Sequence, residues 1–182
     1  MNDLSDKGSN PILGLGFIFS AITIALLFGV TTSVFAFLTY PISVILRIIG
    51  WIKLRQYKTL YLIIGVMIII LSPIYYLGFL MMETWVNLLG IAFGPLLGML
   101  ISVWIIYSIF EAIGYFSLGK ESTRLFYGAL ISLVGILIVV IHIPTILVSK
   151  SINILLKLYP ALPFLLISSI IAAISSFKIS KS

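Results

Sequence analysis

Two pairs of charged or titratable side chains are the candidates for chemistry in this sequence. Arg47 and Glu111 each lie among apolar and aromatic residues, where an ion pair would offset the cost of burying either charge. Glu83 and His142 could form an external proton or metal site, because histidine titrates near neutral pH. Each pair also has a simpler interpretation, in which the side chains reach water or lipid headgroups separately.

The residue types exclude several kinds of catalytic site. The chain has no cysteine and one histidine, so thiol nucleophiles, thiolate metal sites, haem pairs and histidine-based zinc sites are absent. One histidine and one glutamate are too few ligands for a catalytic metal centre. Nothing resembles a nucleophile with its base, a phosphate loop or paired carboxylates on one helix face. We therefore expect no catalytic residues, no metal, no cofactor and no enzymatic activity.

The elements that must position these residues are membrane helices. The 182 residues are 62% apolar and 9% charged, whereas soluble domains carry about a quarter charged residues. The net charge of +6 does not indicate nucleic-acid binding, because the basic residues are scattered between long apolar runs and read as topology determinants. The composition predicts an all-α integral membrane protein whose first partner is the lipid bilayer.

Six apolar segments can cross a bilayer if the first apolar run folds back. Residues 12–46 contain no charge and would be about 52 Å long as one straight helix, far more than a span requires. A turn signal that begins at Gly29 favours two helices over one long tilted helix, which would leave five spans. The predicted spans of this six-helix transmembrane bundle are residues 12–30, 34–54, 60–81, 85–116, 125–148 and 158–177. They form a transmembrane domain at 12–177 with cytoplasmic tails at 1–11 and 178–182.

The distribution of lysine and arginine predicts a multi-pass cell-membrane protein with both termini cytoplasmic. With six spans, only Lys150 and Lys157 of the 11 basic residues lie outside. The first segment lacks the basic start of a signal peptide, so we expect it to be retained. Aromatic residues near both segment ends are typical of interfacial belts. Those on the inner side are Trp51, Tyr57, Tyr61, Tyr115 and Tyr127, and those on the outer side are Tyr75, Tyr76, Trp85 and Tyr159.

An internal repeat relates the second and fourth predicted helices. Residues 47–54 (RIIGWIKL) align without a gap with residues 111–118 (EAIGYFSL), an offset of 64. Residues 172–179 (AAISSFKI) are a weaker match at a further offset of 61. Pro73 and Pro144 lie in the outer halves of the helices that follow the first two copies. The pattern predicts parallel helix-pair repeats, with the sixth and first helices as a permuted third pair.

The repeat places Arg47 and Glu111 at similar depth in the inner leaflet. A charge there costs up to about 3 kcal/mol on insertion scales, which an ion pair would offset and which snorkelling of each side chain would avoid. His142 lies about 25 Å along its helix, near the outer border that Glu83 also occupies. Those two residues are either a joint site or two separate interfacial side chains.

Small residues recur at every fourth position along the predicted fourth helix. They are Gly90, Gly94, Gly98 and Ser102. A ridge of this kind lets another helix approach closely, either within the chain or from a second copy in a homo-oligomer. Pro95 lies within the ridge and would bend it locally.

Glycine and aliphatic positions in several segments resemble a group of membrane proteins. They are residues 13–16 (LGLG), 48–50 with Lys53, 110–118, 125–128 (LFYG) and 135–137 (GIL). At these positions the chain is similar to a family of uncharacterised archaeal polytopic membrane proteins of unknown function. The resemblance implies a multi-span fold and no known chemistry.

These features predict a non-enzymatic polytopic membrane protein, a structural or accessory subunit that packs with itself or in a larger membrane complex. The alternative is a small channel or secondary transporter built from the repeated helix pairs. A transporter predicts a hydrated cavity at the midplane, lined by the polar residues. A scaffold predicts a dry interior and an exposed apolar or glycine seam.

Overall fold

The computed structural model describes residues 10–29, 33–90, 92–119, 123–150 and 152–178, and these residues contain helices but no strands. Their α-helices are α1 Pro11–Leu26, α2 Ser33–Lys53, α3 Thr59–Leu80, α4 Met82–Leu89, α5 Phe93–Gly119, α6 Thr123–Leu147 and α7 Leu162–Lys178. Two 3₁₀ segments, Leu54–Gln56 and Ile152–Ala161, follow α2 and precede α7. The all-α fold predicted from the sequence is confirmed. The predicted tails, 1–11 and 178–182, lie almost entirely outside the described residues.

Five helical segments in this part of the chain are long and apolar enough to cross a membrane. They contain α2, α3, α5 and α6 together with α7 and its preceding 3₁₀ helix. The sixth apolar helix, α1, has 16 residues and is about 24 Å long, shorter than the hydrocarbon layer of about 30 Å. Large apolar side chains such as Leu38 and Ile141 are 65% and 64% exposed, as lipid-facing residues are. The chain is therefore a membrane-spanning helical protein.

The first apolar run folds back as an antiparallel hairpin of α1 and α2. The Asn10 side chain accepts a hydrogen bond from the Leu13 N–H at 3.1 Å and so caps the start of α1. Its Nδ2 donates to the Gly50 carbonyl oxygen on α2 at 2.8 Å. At the other end of the pair, the hydroxyls of Thr23 and Thr39 are 2.8 Å apart. The predicted division into two helices is confirmed, and one long helix is excluded.

The small-residue ridge is used inside the chain, and Gly90 is not part of it. A Cβ on Gly94 would lie 2.5 Å from the Leu147 carbonyl oxygen, so α5 and α6 pack at the closest approach that glycine permits. Gly98 also faces Leu147, and the Ser102 hydroxyl donates to the Gly98 carbonyl oxygen at 2.8 Å. Gly90 instead ends α4 with a φ of 65°, a left-handed conformation that glycine adopts without strain.

Two predicted spans differ from the structure at their starts. The span predicted at 85–116 consists of two helices, α4 and α5, with Gly90 between them. The span predicted at 158–177 begins earlier, as a 3₁₀ helix that contains Pro160, and becomes α-helical only in α7. Proline removes a backbone donor, so an irregular start costs little there. By contrast, α3 and α6 continue past Pro73 and Pro144.

The long helices of the described chain close into a ring. In the order α1, α2, α3, α5, α6, α7, each packs against the next, and α7 packs against α1. The Asn10 N–H donates to the Ser176 carbonyl oxygen at 3.3 Å, which joins the start of α1 to the last turns of α7. We call this end of the ring the terminal end, and the opposite end, where α4 and the 3₁₀ helix Ile152–Ala161 lie, the far end.

Equivalent positions in the three copies of the repeat have similar exposure, with the first position buried in the ring and the third position facing outward. The first residue of each copy is at most 5% exposed: Arg47, Glu111 and Ala172. The third residue of each copy is 41%, 43% or 46% exposed: Ile49, Ile113 and Ile174. This agreement across α2, α5 and α7 supports the predicted helix-pair repeat, with the contact between α7 and α1 completing the third pair.

Candidate functional site

An ion pair joins α2 and α5 inside the ring. The Arg47 Nη1 donates to the Glu111 Oε2, and each side chain is 7% exposed. Because α2 ends six residues after Arg47, the pair lies about 9 Å from the terminal end of that helix. The structure thus brings together the two residues that the repeat placed at equal depth, and neither of them is at the surface.

Both oxygens of the Glu111 carboxylate accept a hydrogen bond, whereas the guanidinium of Arg47 keeps an N–H without an acceptor in the described part of the chain. The Trp51 indole Nε1 donates to the Glu111 Oε1 at 3.0 Å, so both carboxylate oxygens accept a hydrogen bond. The Arg47 Nε is buried and has no hydrogen-bond acceptor among the described residues. A guanidinium has five N–H donors, so this site retains unused donor capacity.

Aromatic and aliphatic side chains pack the terminal end below the ion pair. Trp51 is fully buried, and its ring lies 5.7 Å from the rings of both Tyr61 and Tyr115. These three residues lie near the helix ends, as the sequence predicted, but they pack inside the ring and do not face the headgroups as an interfacial belt would. Their neighbours in the same buried cluster include Leu13, Ile64, Leu125 and Ala172. The alignment of Trp51 with Tyr115 in the repeat was the sequence signal that could have indicated a shared interior position.

A cavity of about 590 Å³ extends from the ion pair toward the far end. Its walls come from all six helices of the ring and from the 3₁₀ helix Ile152–Ala161. Arg47, Glu111 and Tyr115 line it nearest the terminal end, and Ala36 lines it near the far end. Arg47 and Ala36 are separated by 11 positions on α2, or about 17 Å of helix. The cavity therefore crosses roughly half the thickness of a bilayer core.

The cavity wall is mainly apolar and aromatic, with hydroxyl groups and one charged pair. Its aromatic residues are Phe17, Phe37, Tyr40, Tyr75, Tyr76, Phe79, Trp104, Tyr107, Tyr115 and Tyr159. Its serines are Ser20, Ser108, Ser132, Ser168 and Ser169. The hydroxyls of Tyr40 and Tyr107 hydrogen-bond at 2.6 Å, and the Tyr40 ring stacks on Tyr76. Arg47 and Glu111 are the only charged residues that line the cavity in the described part of the chain.

Glu83 and His142 both lie toward the far end, without a direct contact between them among the described residues. Glu83 is exposed on α4, and His142 is partly buried on α6, five residues before that helix ends. No hydrogen bond or ion pair joins them in the ranges that the structure describes. Within those ranges, no group of three or more histidine, aspartate or glutamate side chains is placed to hold a metal ion.

No family model, curated protein or solved structure matches this chain. The resemblance to archaeal polytopic proteins therefore stays a prediction, and the interpretation of the cavity depends on its geometry and chemistry.

Proposed function

We propose that this chain is a small membrane carrier that binds its ligand in the cavity at the centre of the helix ring. The supporting observation is a cavity of about 590 Å³ with the Arg47–Glu111 pair at its closed end. Ligand sites commonly have volumes of about 300 to 1,000 Å³, with a few polar groups in a mostly apolar wall. Secondary transporters place such sites near the midplane, between repeated helix units.

The packing of the terminal end favours a carrier over an open channel. Trp51, Ile64 and Leu125 are at most 1% exposed, and they lie between the ion pair and that end of the ring. A ligand that enters from the far end therefore meets a packed layer beyond the Arg47–Glu111 pair. Passage requires the helices to move, as in transporters that rock one repeat against another.

The cavity also favours the carrier over the structural or accessory subunit. That alternative predicted a dry interior and an exposed glycine seam. Gly94 and Gly98 face α6 of the same chain, so they leave no open seam for a second copy. Association with copies of the chain or with a larger membrane complex stays a prediction that the carrier proposal does not need.

Basic residues support an orientation with the terminal end in the cytoplasm. Lys53, Arg55, Lys58 and Arg124 lie at or near the terminal end, and Lys150 and Lys157 lie at the far end. The positive-inside rule assigns the more basic side to the cytoplasm. In this proposal the protein resides in the cell membrane, α1 crosses as a short sixth span, and the cavity extends toward the outside.

Labelling of single cysteines tests the carrier, because the native chain has none. Ser108 lines the cavity, so Ser108→Cys in oriented vesicles is exposed to a membrane-impermeant thiol reagent from each side in turn. Thr84→Cys and Gln56→Cys, at exposed positions, mark the far and terminal sides. We expect Ser108→Cys to react faster from the side that labels Thr84→Cys, and more slowly but measurably from the other side.

The matched control is Ser43→Cys. Ser43 is buried, donates to the Gly16 carbonyl oxygen at 3.0 Å and lies outside the cavity wall, so we expect it to stay unreactive. Reaction of Ser108→Cys from the far side only, or at equal rates from both sides, would contradict a carrier. A rate no higher than that of Ser43→Cys would contradict an accessible cavity.

A further inference from the structure

We infer that the cavity binds an uncharged, largely apolar molecule whose head carries a hydrogen-bond-accepting oxygen, and that this head contacts the Arg47 guanidinium. The inference deepens the proposed function by naming its ligand class, and it rests on that function only in requiring that a ligand can enter. Three properties of the cavity wall point to this ligand: its charge, its hydrogen-bonding groups and its remaining apolar surface.

The charges of the cavity wall cancel each other. Arg47 and Glu111 are paired, and they are the only charged residues among those described that line the cavity. A cationic or anionic head would therefore add an unpaired charge to a poorly solvated interior, which is strongly unfavourable. An uncharged head avoids this penalty.

The charged donor of the wall is not fully used, whereas both oxygens of its charged acceptor are. Both oxygens of Glu111 already accept, from Arg47 and Trp51, whereas the Arg47 Nε has no acceptor within the described chain. The hydroxyl pair of Tyr40 and Tyr107 uses one O–H proton and leaves the other. A carbonyl oxygen, as in a ketone, ester or quinone, can accept a hydrogen bond from the remaining N–H groups of Arg47.

The rest of the wall suits an extended apolar body. Trp104, Tyr75 and Phe79 line the cavity, together with aliphatic residues such as Leu158 and Leu165. The lining extends for about 17 Å of helix from Arg47 toward the far end. Burial of apolar surface against these side chains supplies the affinity, and the head at Arg47 fixes the orientation.

Competition among four decyl probes tests the ligand class. A Trp85→Phe background keeps two tryptophans, of which Trp104 lines the cavity and Trp51 does not, so 10-bromo-2-decanone in the cavity quenches the Trp104 part of the fluorescence. Decane, 2-decanone, decanoate or decyltrimethylammonium is then added to displace it. We expect 2-decanone to displace the brominated ketone about tenfold more effectively than decane, because it adds a hydrogen bond to a charged donor. Both charged probes should be weaker competitors than 2-decanone.

Three variants test whether the preference for 2-decanone over decane arises in the cavity. The double substitution Arg47→Leu with Glu111→Leu removes both charges together, and we expect it to abolish the preference for 2-decanone while decane still competes. Ala36→Phe fills the far part of the cavity and should weaken quenching by the brominated ketone. Ala25→Phe, at an exposed position of α1 outside the cavity wall, should leave quenching unchanged.

Each outcome decides the inference. Stronger competition by decanoate or by decyltrimethylammonium would overturn the uncharged head, and equal competition by decane and 2-decanone would overturn the contact with Arg47. Quenching unaffected by Ala36→Phe would overturn the site itself. If 2-decanone is preferred but Ser108→Cys reacts only from the far side, the carrier proposal is contradicted and the inferred ligand class is supported. If Ser108→Cys reacts as expected but no preference is found, the ligand class fails alone.

Discussion

Arg47 and Glu111 stabilise each other's charge, because neither side chain reaches the surface of the ring. Both side chains are 7% exposed, and a buried ion without its partner costs several kcal/mol. The Trp51 indole adds a hydrogen bond to the Glu111 carboxylate. Removing one member of this cluster should therefore be worse than removing both charges together.

A double-mutant cycle measures that dependence. We expect Arg47→Leu and Glu111→Leu each to lower the free energy of unfolding in detergent micelles by about 3 to 5 kcal/mol. The double variant should lose much less than the sum, because no unpaired charge remains. Lys53→Leu, at an exposed position on the last turn of α2, is the control and should change stability by about 0.5 kcal/mol or less. Additive losses would show that the charges do not interact.

Trp51→Phe isolates the indole hydrogen bond. The substitution keeps an aromatic ring in the terminal-end cluster but removes the donor to Glu111, so we expect a loss of about 1.5 to 3 kcal/mol in the free energy of unfolding. Trp85→Phe on α4, where the side chain is only partly buried, should cost less. The loss caused by Trp51→Phe should shrink in a Glu111→Leu background, and a loss of the same size there would mean that the bond contributes nothing.

The sequence predicted the charged pair but not the side chains that surround it. The offset of 64 placed Arg47 and Glu111 at one depth. Only its alignment with Tyr115 in the repeat distinguished Trp51 from an interfacial tryptophan, since both kinds lie at the end of an apolar run. The hydrogen bond between the hydroxyls of Tyr40 and Tyr107 could not be predicted from the sequence either, because it depends on how α2 and α5 are rotated in the ring.

The hydropathy pattern determines where most helices begin and end, and glycine determines how closely two helices pack. The starts of α2, α3 and α6 lie within two residues of their predicted positions, since turns or charges interrupt the apolar runs there. The break between α4 and α5 was missed because Gly90 lies in a continuous apolar run, where it was assigned to a ridge. In the structure Gly90 has a positive φ and a Cβ on it would contact nothing among the described residues, whereas Gly94 packs against the backbone of α6.

Two alanine substitutions test the close packing of α5 on α6. A Cβ on Gly94 would lie 2.5 Å from the Leu147 carbonyl oxygen, whereas a Cβ on Gly98 would lie 2.5 Å from the flexible end of the Leu147 side chain. We expect Gly94→Ala to lower the free energy of unfolding by about 1 to 3 kcal/mol, as overpacking does, and Gly98→Ala to cost less. Leu147→Ala should relieve Gly98→Ala but not Gly94→Ala. A larger loss for Gly98→Ala would contradict the backbone contact.

For the whole molecule, ring closure determines both the repeat symmetry and the cavity. The contact of α7 with α1 joins residues such as Asn10 and Ser176, which lie at opposite ends of the sequence. The sequence indicated this contact only as a permuted third pair, because helix order in space depends on packing that no single segment encodes. Six helices around one axis leave a centre that their side chains fill at the terminal end and leave open toward the far end.

The presence of water in that centre distinguishes the proposed carrier from a scaffold, because a carrier needs a hydrated cavity and a scaffold has a dry core. A nitroxide attached at Ser108→Cys can be examined for deuterium modulation of its electron spin echo in D₂O. Ile106→Cys on the same helix, at a position 44% exposed and outside the cavity wall, provides the lipid-facing comparison. We predict strong deuterium modulation at Ser108→Cys and weak modulation at Ile106→Cys. Modulation at Ser108→Cys as weak as at Ile106→Cys would contradict a hydrated cavity.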